Sequence, residues 1–422
     1  MTDIIDDLAW RGLIAVSTDL DDLRKALDAG PVTFYAGFDP TAAGLHIGNL
    51  VLLLTMRRLQ LAGHRPIGLV GGATGLIGDP SGKSAERVLN EREVVADWVR
   101  KIELEVSRIL PGAIYVSNLD WTAPLTAIDF LRDIGKYFPV SQMLGREVVK
   151  ARLEQGGITY TEFSYQILQA NDFLELHLRH GCTLQLGGSD QWGNLVSGVD
   201  LIRRAAGESV HALAIPLITK PDGTKYGKSE GDAVCISADL TSPYSFYQFF
   251  VNRTDAEAPG LLRVFTFRSR QEIEDLERKI ADRPAARAAQ RVLAEDITTL
   301  VHGAAETAKV IAASQALFGQ GELADLDERT LADALAEVPR ATVRVADGAD
   351  LPPVAELMLE CGIVPSKSAG RRAIGEGGAY LNNVKVTDVE AVPDQASLLH
   401  GRYLVLRRGK RTVGCIEVVP RR

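Results

Sequence analysis

The chain has 422 residues, 46% of them hydrophobic and 24% charged, with a net charge of −8; that is enough apolar chain for two or three buried cores and excludes a disordered or fibrous protein. No apolar run reaches the roughly 20 residues of a membrane span, and the acidic start MTDIIDDLAWRG lacks the pattern of a secretory leader, so the chain reads as cytoplasmic with no membrane partner. Cys182, Cys235, Cys361 and Cys415 stand far apart with no C-x-x-C pair, which argues against a zinc site or a disulfide framework, so no protein-bound metal is expected.

In chain order, Ile4, Ile5 and Leu8, then Leu20, Leu23 and Leu27, are spaced as two amphipathic helices, with Gly30-Pro31 as a stop. Residues 32–38 are a β-prone run that turns at Asp39-Pro40. His46-Ile47-Gly48-Asn49 follows and leads into an apolar helix over 50–61, whose positions 50, 51, 53, 54 and 61 are predicted to face a core. Strand, glycine-containing turn and helix N-terminus together make an edge that receives phosphate, because unpaired backbone N–H groups and the helix dipole both point there. His46 and Asn49 stand one turn apart at that mouth. A lone His is most often structural, but H-x-G-N directly before a helix favours a functional one.

A buried strand at 66–72 ends in small residues and runs into ATGLIGDPSGKSAER. The stretch from Gly78 to Ser84 looks like a phosphate loop, but that motif needs glycine where this chain has Ile77, so the loop is rejected. Asp79 and Lys83 remain as one carboxylate and one cation in a glycine-rich loop after a strand. A helix over 90–109, a strand over 113–118 and a helix over 124–135 continue the alternation, followed by an irregular segment over 136–157. The next helix carries Tyr165, Gln169 and Asp172 on one face, an arrangement that suits a polar pocket better than a core. A strand over 183–188 runs straight into Ser189-Asp190-Gln191-Trp192-Gly193-Asn194, and a strand over 213–218 into a polar loop with Lys220, Lys225 and Lys228. Strands alternating with helices over short connectors imply a doubly wound parallel, Rossmann-like α/β sheet, in which ligands sit beyond the carboxyl ends of the strands.

Residues 1–231 are therefore read as a catalytic domain, 232–320 as an α-helical domain, 321–351 as a linker and 352–422 as a small α+β module. The last stretch carries 11 Lys and Arg against 7 Asp and Glu, a net +4, which leaves 36 against 48, a net −12, for the preceding 351 residues. A basic end on an acidic, enzyme-sized body suggests an appendage for a polyanion.

HIGN before the first long helix, GGSDQWGN after a later strand and KYGKS in the lysine loop together resemble the tyrosyl-tRNA synthetases of bacterial type, which are class I aminoacyl-tRNA synthetases; the resemblance covers essentially the whole chain. In that family the first signature ends in His or a substitute, here Asn49, which can donate a hydrogen bond but carries no charge. The lysine signature usually reads K-M-S-K-S; Tyr226 and Gly227 replace its middle residues, while Lys225, Lys228 and Ser229 remain. The resemblance implies formation of tyrosyl-adenylate and pyrophosphate from L-tyrosine and ATP, then transfer of tyrosine to the 3′ end of tRNA(Tyr), with Mg2+ accompanying ATP. Such chemistry needs charge stabilisation more than acid or base groups. The resemblance assigns catalysis to His46, Asn49, Lys83, Lys225, Lys228 and Ser229. It assigns the tyrosine to Tyr35, Asp79, Tyr165, Gln169, Asp172 and Gln191. The nucleotide falls to Gly37, Asp39, Thr41, His46, Gly48, Asn49, Gly188, Asp190 and Lys228. The helical domain would lie on the anticodon side of the tRNA. The basic end resembles the S-four-type RNA-binding domain through SKSAGRRAI and LNNVKV, which points to Lys367, Arg371, Arg372 and Lys385 as phosphate contacts. The family is homodimeric, and its subunits meet around the segment corresponding to 131–152. Another nucleotidyl transferase on the same scaffold, or an RNA-binding protein that has lost activity, remain the other classes. A tryptophan-activating relative is the nearest confusion.

Overall fold

The computed structural model describes residues 3–40, 42–78, 91–155, 157–219, 233–346 and 349–421. The chain divides into two compact units, Met1–Leu240 with Arg253–Leu293, and Thr241–Asn252 with Ala294–Arg422.

The first unit opens with α1 (Ile4–Trp10) and α2 (Leu20–Ala29). Each starts at an aspartate whose carboxylate accepts otherwise unpaired N–H groups of the first turn: Asp3 from Ile5 at 2.7 Å, and Asp19 from Asp21 and Asp22 at 3.0 Å. Six strands form one sheet: β1 (Val16–Ser17), β2 (Thr33–Phe38), β3 (Arg65–Val70), β4 (Ile114–Ser117), β5 (Cys182–Gly188) and β6 (His211–Ile215), in the order β1-β6-β5-β2-β3-β4. The strands β2 to β6 pair in parallel, and β1 is a short antiparallel edge on β6. The expected doubly wound topology is therefore present. Its strand order reverses between β2 and β5, and there the loops leaving the two carboxyl ends diverge and open a crevice.

Helix α3 (Ile47–Leu61) crosses from β2 to β3 and buries residues on all sides, among them Leu50, Val51, Leu53, Leu54, Met56 and Leu59. It starts three residues before the predicted 50, because His46 and Asn49 cap it. Leu61, predicted to face the core, is 62% exposed, because it sits in the last turn beyond the reach of the sheet. Helix α4 (Arg92–Ile109) leads into β4. After the short α5 (Leu119–Thr122), the helix expected over 124–135 is reduced to α6 (Ala127–Asp129) and a π-helical turn Phe130–Ile134. The segment read as irregular contains two helices, α7 (Val140–Leu144) and α8 (Glu147–Gln155). Helix α9 (Tyr160–His180) ends at Gly181, whose φ of 63° is a left-handed conformation that glycine adopts without strain. Helix α10 (Trp192–Ala205) follows β5.

Residues 243–317 are helical as expected: α11 (Pro243–Val251), α12 (Ala258–Phe265), α13 (Arg270–Asp282), α14 (Ala288–His302) and α15 (Ala304–Leu317). Of these, α12 and α13 belong to the first unit. Arg11 and Arg58, both buried, donate from α1 and α3 to carbonyls at the end of α12, Arg11 to Arg263 at 2.8 Å and Arg58 to Val264 at 3.1 Å. They satisfy acceptors that a helix end leaves unpaired, and they fasten α12 to α3.

The second unit carries a five-stranded sheet in the order β7-β11-β10-β8-β9, built from β7 (Arg340–Val345), β8 (Ala379–Leu381), β9 (Val384–Lys385), β10 (Tyr403–Arg408) and β11 (Thr412–Pro420). The stretch read as a linker is thereby corrected: it holds α16 (Glu328–Ala336) and β7, which pairs with β11 as the sheet's parallel edge. Its alternating Arg340-Ala341-Thr342-Val343-Arg344-Val345 is an amphipathic strand pattern that acidic, alanine-rich surroundings had hidden. Helices α17 (Val354–Glu360) and α18 (Lys367–Gly375) cover one face of this sheet around Leu357, Met358, Ile374, Leu404, Leu406 and Ile416.

Candidate active site

At the mouth of β2, the predicted signature closes on itself as a helix cap. His46 Nδ1 accepts from the Gly48 and Asn49 N–H groups at 3.0 and 3.3 Å, and Asn49 Oδ1 accepts from the His46 N–H at 3.1 Å. Because Nδ1 is an acceptor, the proton of the neutral ring sits on Nε2, so the cap sets the tautomer. The carbonyl oxygen of Asn49 thus does its part of the capping without a charge. The same turn is held from two sides. Buried Glu105 on α4 accepts from the Leu45 N–H at 2.8 Å. Residues 234–236 pair with 45–47 through Ile47 N–H to the Val234 carbonyl at 3.0 Å and Ile236 N–H to the Leu45 carbonyl at 2.9 Å. The described chain just after the lysine loop is thus joined to the His46 turn. Lys225, Lys228 and Ser229 themselves, with Thr41, Asp79 and Lys83, lie outside the described residues.

Across the crevice runs a continuous chain of side-chain hydrogen bonds. Tyr165 on α9 donates to Asp39 Oδ2 at 2.5 Å, and Thr74 donates to Asp39 Oδ1 at 2.7 Å. Asn118 Nδ2 reaches both Thr74 Oγ1 at 2.9 Å and Asp172 Oδ2 at 3.0 Å, while Trp121 Nε1 donates to Asp172 Oδ1 at 2.8 Å. The Ala73 N–H fixes the far side of the Asn118 amide at 2.7 Å. Gly71 leaves room for Asp39, since a Cβ there would lie 2.0 Å from Oδ1. Tyr35, on β2, packs its ring on Phe173 with centroids 5.4 Å apart, and its hydroxyl is buried with no hydrogen-bond partner among the described residues. A buried, unpaired hydroxyl is costly in a folded protein and points to a ligand group. Burial first, and then the Asp172 charge, push that phenol well above its ordinary pKa.

The remaining predicted residues among those described lie in or next to β2, β5 and their flanking helices. Gln169 Oε1 accepts from Asn194 Nδ2 at 3.1 Å, which ties α9 to α10. Gly188 ends β5, and a Cβ there would meet Asp190 Oδ1 at 2.8 Å; Asp190 and Gln191 form the single turn that follows. Gly37 lies near the end of β2 and Gly48 in the first turn of α3. Sequence reasoning missed Thr74, Asn118, Trp121 and Glu105, and gave Asn194 no role of its own. Asn118 and Trp121 could have been found, because SNLDW places polar and aromatic groups just after β4, where a parallel sheet presents its ligand edge. Glu105 had no such signal, being one of many charges on an amphipathic helix.

Asp172 is only 2% exposed, and burial raises its pKa from 3.8 to about 7 against the opposing hydrogen bonds from Asn118 and Trp121. The folded protein therefore holds this proton more tightly than the unfolded chain, so its contribution to stability falls as pH rises from about 4 to about 7 and is lowest above that. Asp172→Asn removes the titration. Its melting temperature relative to the parent should climb through this window and level off above it; parallel curves from pH 4 to 8 in a thermal-shift series would contradict the buried charge.

In the second unit, the cations predicted from sequence differ in their surroundings. Lys367 pairs with Glu356, and Arg371 with Glu390 at 3.0 Å. Arg372 and Lys385 are exposed and form no ion pair among the described residues.

Fold and site together define a class: α/β enzymes that bind a nucleotide at the switch point of a parallel sheet, beside a His-capped helix. A family model for class I tRNA synthetases (W and Y) matches residues 27–319, and one for the SYY-like C-terminal domain of tyrosine–tRNA ligases matches 330–415. The chain belongs to this class I tRNA synthetase family. It is 61% identical to the tyrosine–tRNA ligase of Streptomyces avermitilis over 99% of both chains, and 59% identical to that of Thermobifida fusca over 98% of this chain and 99% of the relative. A crystal structure of a C-terminally truncated Aspergillus nidulans mitochondrial tyrosyl-tRNA synthetase superposes with a TM-score of 0.69 at 28% identity, covering 75% of this chain and 95% of that one. No helix among the described residues is long and apolar enough to cross a membrane.

Proposed function

We propose that the chain is a tyrosine–tRNA ligase, which forms tyrosyl-adenylate from L-tyrosine and ATP and then passes the tyrosine to the 3′ end of tRNA(Tyr). The observation that carries this reading is the buried Asp172, oriented by Asn118 and Trp121, beside the Tyr35 hydroxyl, which has no hydrogen-bond partner among the described residues. A phenol bound there completes both groups, as an apolar or indole side chain does not. In this reading Asp79, Tyr165, Gln169 and Gln191 hold the rest of the amino acid, while Gly37, Asp39, Thr41, Gly48, Gly188 and Asp190 surround the nucleotide.

The tyrosine carboxylate attacks the α-phosphorus, the bond to the bridging oxygen breaks, and pyrophosphate leaves with its electron pair. His46 Nε2–H, Asn49 and the N-terminus of α3 stabilise the charge that develops, with Lys83, Lys225, Lys228 and Ser229 as further donors. Magnesium belongs to the substrate, as the counter-ion of the ATP phosphates. The pairing of 234–236 with the His46 turn supports a lysine loop that works beside it. Residues 232–320 would serve the anticodon side of the tRNA, with the basic module as a second RNA contact. The enzyme would act in the cytoplasm as a homodimer. Supporting the dimer, Ile128, Leu131, Val140, Leu144, Leu153 and Tyr160 expose large apolar side chains within one stretch of the first unit.

The test is amino-acid-dependent ATP–pyrophosphate exchange with each of the twenty amino acids. Exchange should be best with tyrosine; none, or best with tryptophan, overturns the proposal. His46→Ala should slow this exchange about 10²-fold or more while changing tyrosine affinity little, because its donor acts on charge present only in the transition state.

A further inference from the structure

Helix α4 buries Val95, Ile102, Val106 and Ile109, each at most 2% exposed, as the apolar stripe of an amphipathic helix. Glu105 stands on that same face, three residues after Ile102 and four before Ile109, and is itself buried. Its neighbour Val106 packs on the sheet at Gly68, where a Cβ would lie 3.2 Å from Val106 Cγ1. A carboxyl group in such a place costs free energy that an apolar side chain would not, unless hydrogen bonds replace the water it has left. Burial pushes the Glu105 pKa up, against the opposing effects of the Leu45 N–H and the Arg108 charge. Packing alone therefore gives no reason for a carboxyl group at this position.

What this carboxyl group meets is the turn that delivers His46. Its Oε2 accepts from the Leu45 N–H at 2.8 Å, and its Oε1 lies so close to Gly44 that a Cβ there would be 2.9 Å from it and 2.9 Å from Leu240 Cδ1. The turn can approach this closely only because residue 44 is glycine. The Leu45 carbonyl in turn accepts from the Ile236 N–H at 2.9 Å, and the Ile47 N–H donates to the Val234 carbonyl at 3.0 Å. Leu45 is thus held at both backbone groups, its N–H by α4 and its carbonyl by the segment that follows the lysine loop. His46 comes next, with its ring tied to the Gly48 and Asn49 N–H groups. A ring fixed in this way has no freedom of its own to make up for a shift of the preceding residue, and a misplacement of about 1 Å in a catalytic group costs up to about 10²-fold in rate.

We propose that Glu105 is a positioning residue for amino-acid activation: by holding the Leu45 N–H it sets where His46 Nε2 stands when the α-phosphorus reacts. This rests on the reading of the chain as a tyrosine-activating enzyme that uses His46. The test uses the full chain and two variants of similar size, E105M, which removes the acceptor, and E105Q, which keeps an acceptor oxygen and removes the charge. Tyrosine-dependent pyrophosphate exchange and the melting temperature are measured for each. E105M should lower kcat about tenfold or more while KM for tyrosine stays within about threefold, because the displaced donor serves the transition state and the tyrosine pocket is untouched. E105Q should keep kcat within about threefold of the parent. V106A, which loosens the packing of α4 on the sheet without touching the acceptor, should lower the melting temperature and leave kcat within about twofold. In an H46A background E105M should cost less than about threefold more, since a residue that acts through His46 has nothing left to position. If E105M does not fold at the assay temperature, E105A takes its place in each comparison. A kcat for E105M within threefold of the parent, an equal loss in E105Q or in V106A, or the same factor lost with and without His46 overturns the assignment. Absence of exchange in the parent would instead overturn the enzymatic reading beneath it.

Discussion

Asp172→Ala is expected to lower kcat/KM for tyrosine in pyrophosphate exchange by several orders of magnitude, and to narrow the ratio of tyrosine to phenylalanine. The two substrates differ by one hydroxyl, and an apolar pocket would separate them poorly. A pocket with buried polar groups behaves differently, because phenylalanine leaves them unpaired. For tyrosine-activating enzymes of this kind the discrimination is about 10⁵, a magnitude that belongs to the family and is carried over, not obtained from this geometry. Asp172 also holds the Asn118 amide and the Trp121 indole, so its removal strands buried donors and destabilises the fold by roughly 1 to 3 kcal/mol. Tyr35→Phe resolves that ambiguity. The Tyr35 hydroxyl has no hydrogen-bond partner among the described residues, so its loss should leave the melting temperature unchanged or higher while still narrowing the tyrosine-to-phenylalanine ratio. An unchanged ratio in both variants would show that the hydroxyl is read elsewhere.

The second large effect is expected from removal of residues 339–422. Sequence alone put the cut near 352, but β7 pairs with β11 along its whole length, so a cut there would leave an orphan edge strand. Cutting before Arg340 takes away the complete five-stranded sheet and leaves α16 in place. Pyrophosphate exchange should stay within a few-fold of the parent, because the hydrogen-bonded crevice from Asp39 to Asp172 is built entirely in the first unit. Charging of tRNA should fall on the order of 10²- to 10³-fold, with a shallower salt dependence, as several phosphate contacts are lost. Normal charging by the shortened enzyme would remove the module from the tRNA path. Loss of exchange as well would mean that the two units stabilise each other.

Most of the local structure was legible in the chain because its signals are local. The alternation of apolar strands with amphipathic helices specified the parallel sheet, and H-x-G-N before an apolar run marked a helix start whose N–H groups need acceptors. Where the reading failed, a local signal was weak or divided. The amphipathic strand β7 was masked by acidic neighbours, and α7 and α8 were short helices in a segment rich in mixed polarity.

By itself the sequence determined the order of elements, the strand ends at which chemistry could occur, the capped helix after β2 and the excess of cations at the C-terminal end. Which groups meet was decided only by the tertiary structure. Asn118 joins Thr74 to Asp172 across 44 and 54 residues of chain, and Tyr165 reaches Asp39 across 126. Such partners have no spacing in sequence, because they are brought together by the sheet's strand order and not by the period of any helix or strand. The same holds for charge: Lys367 and Arg371 read as free cations until folding set Glu356 and Glu390 against them.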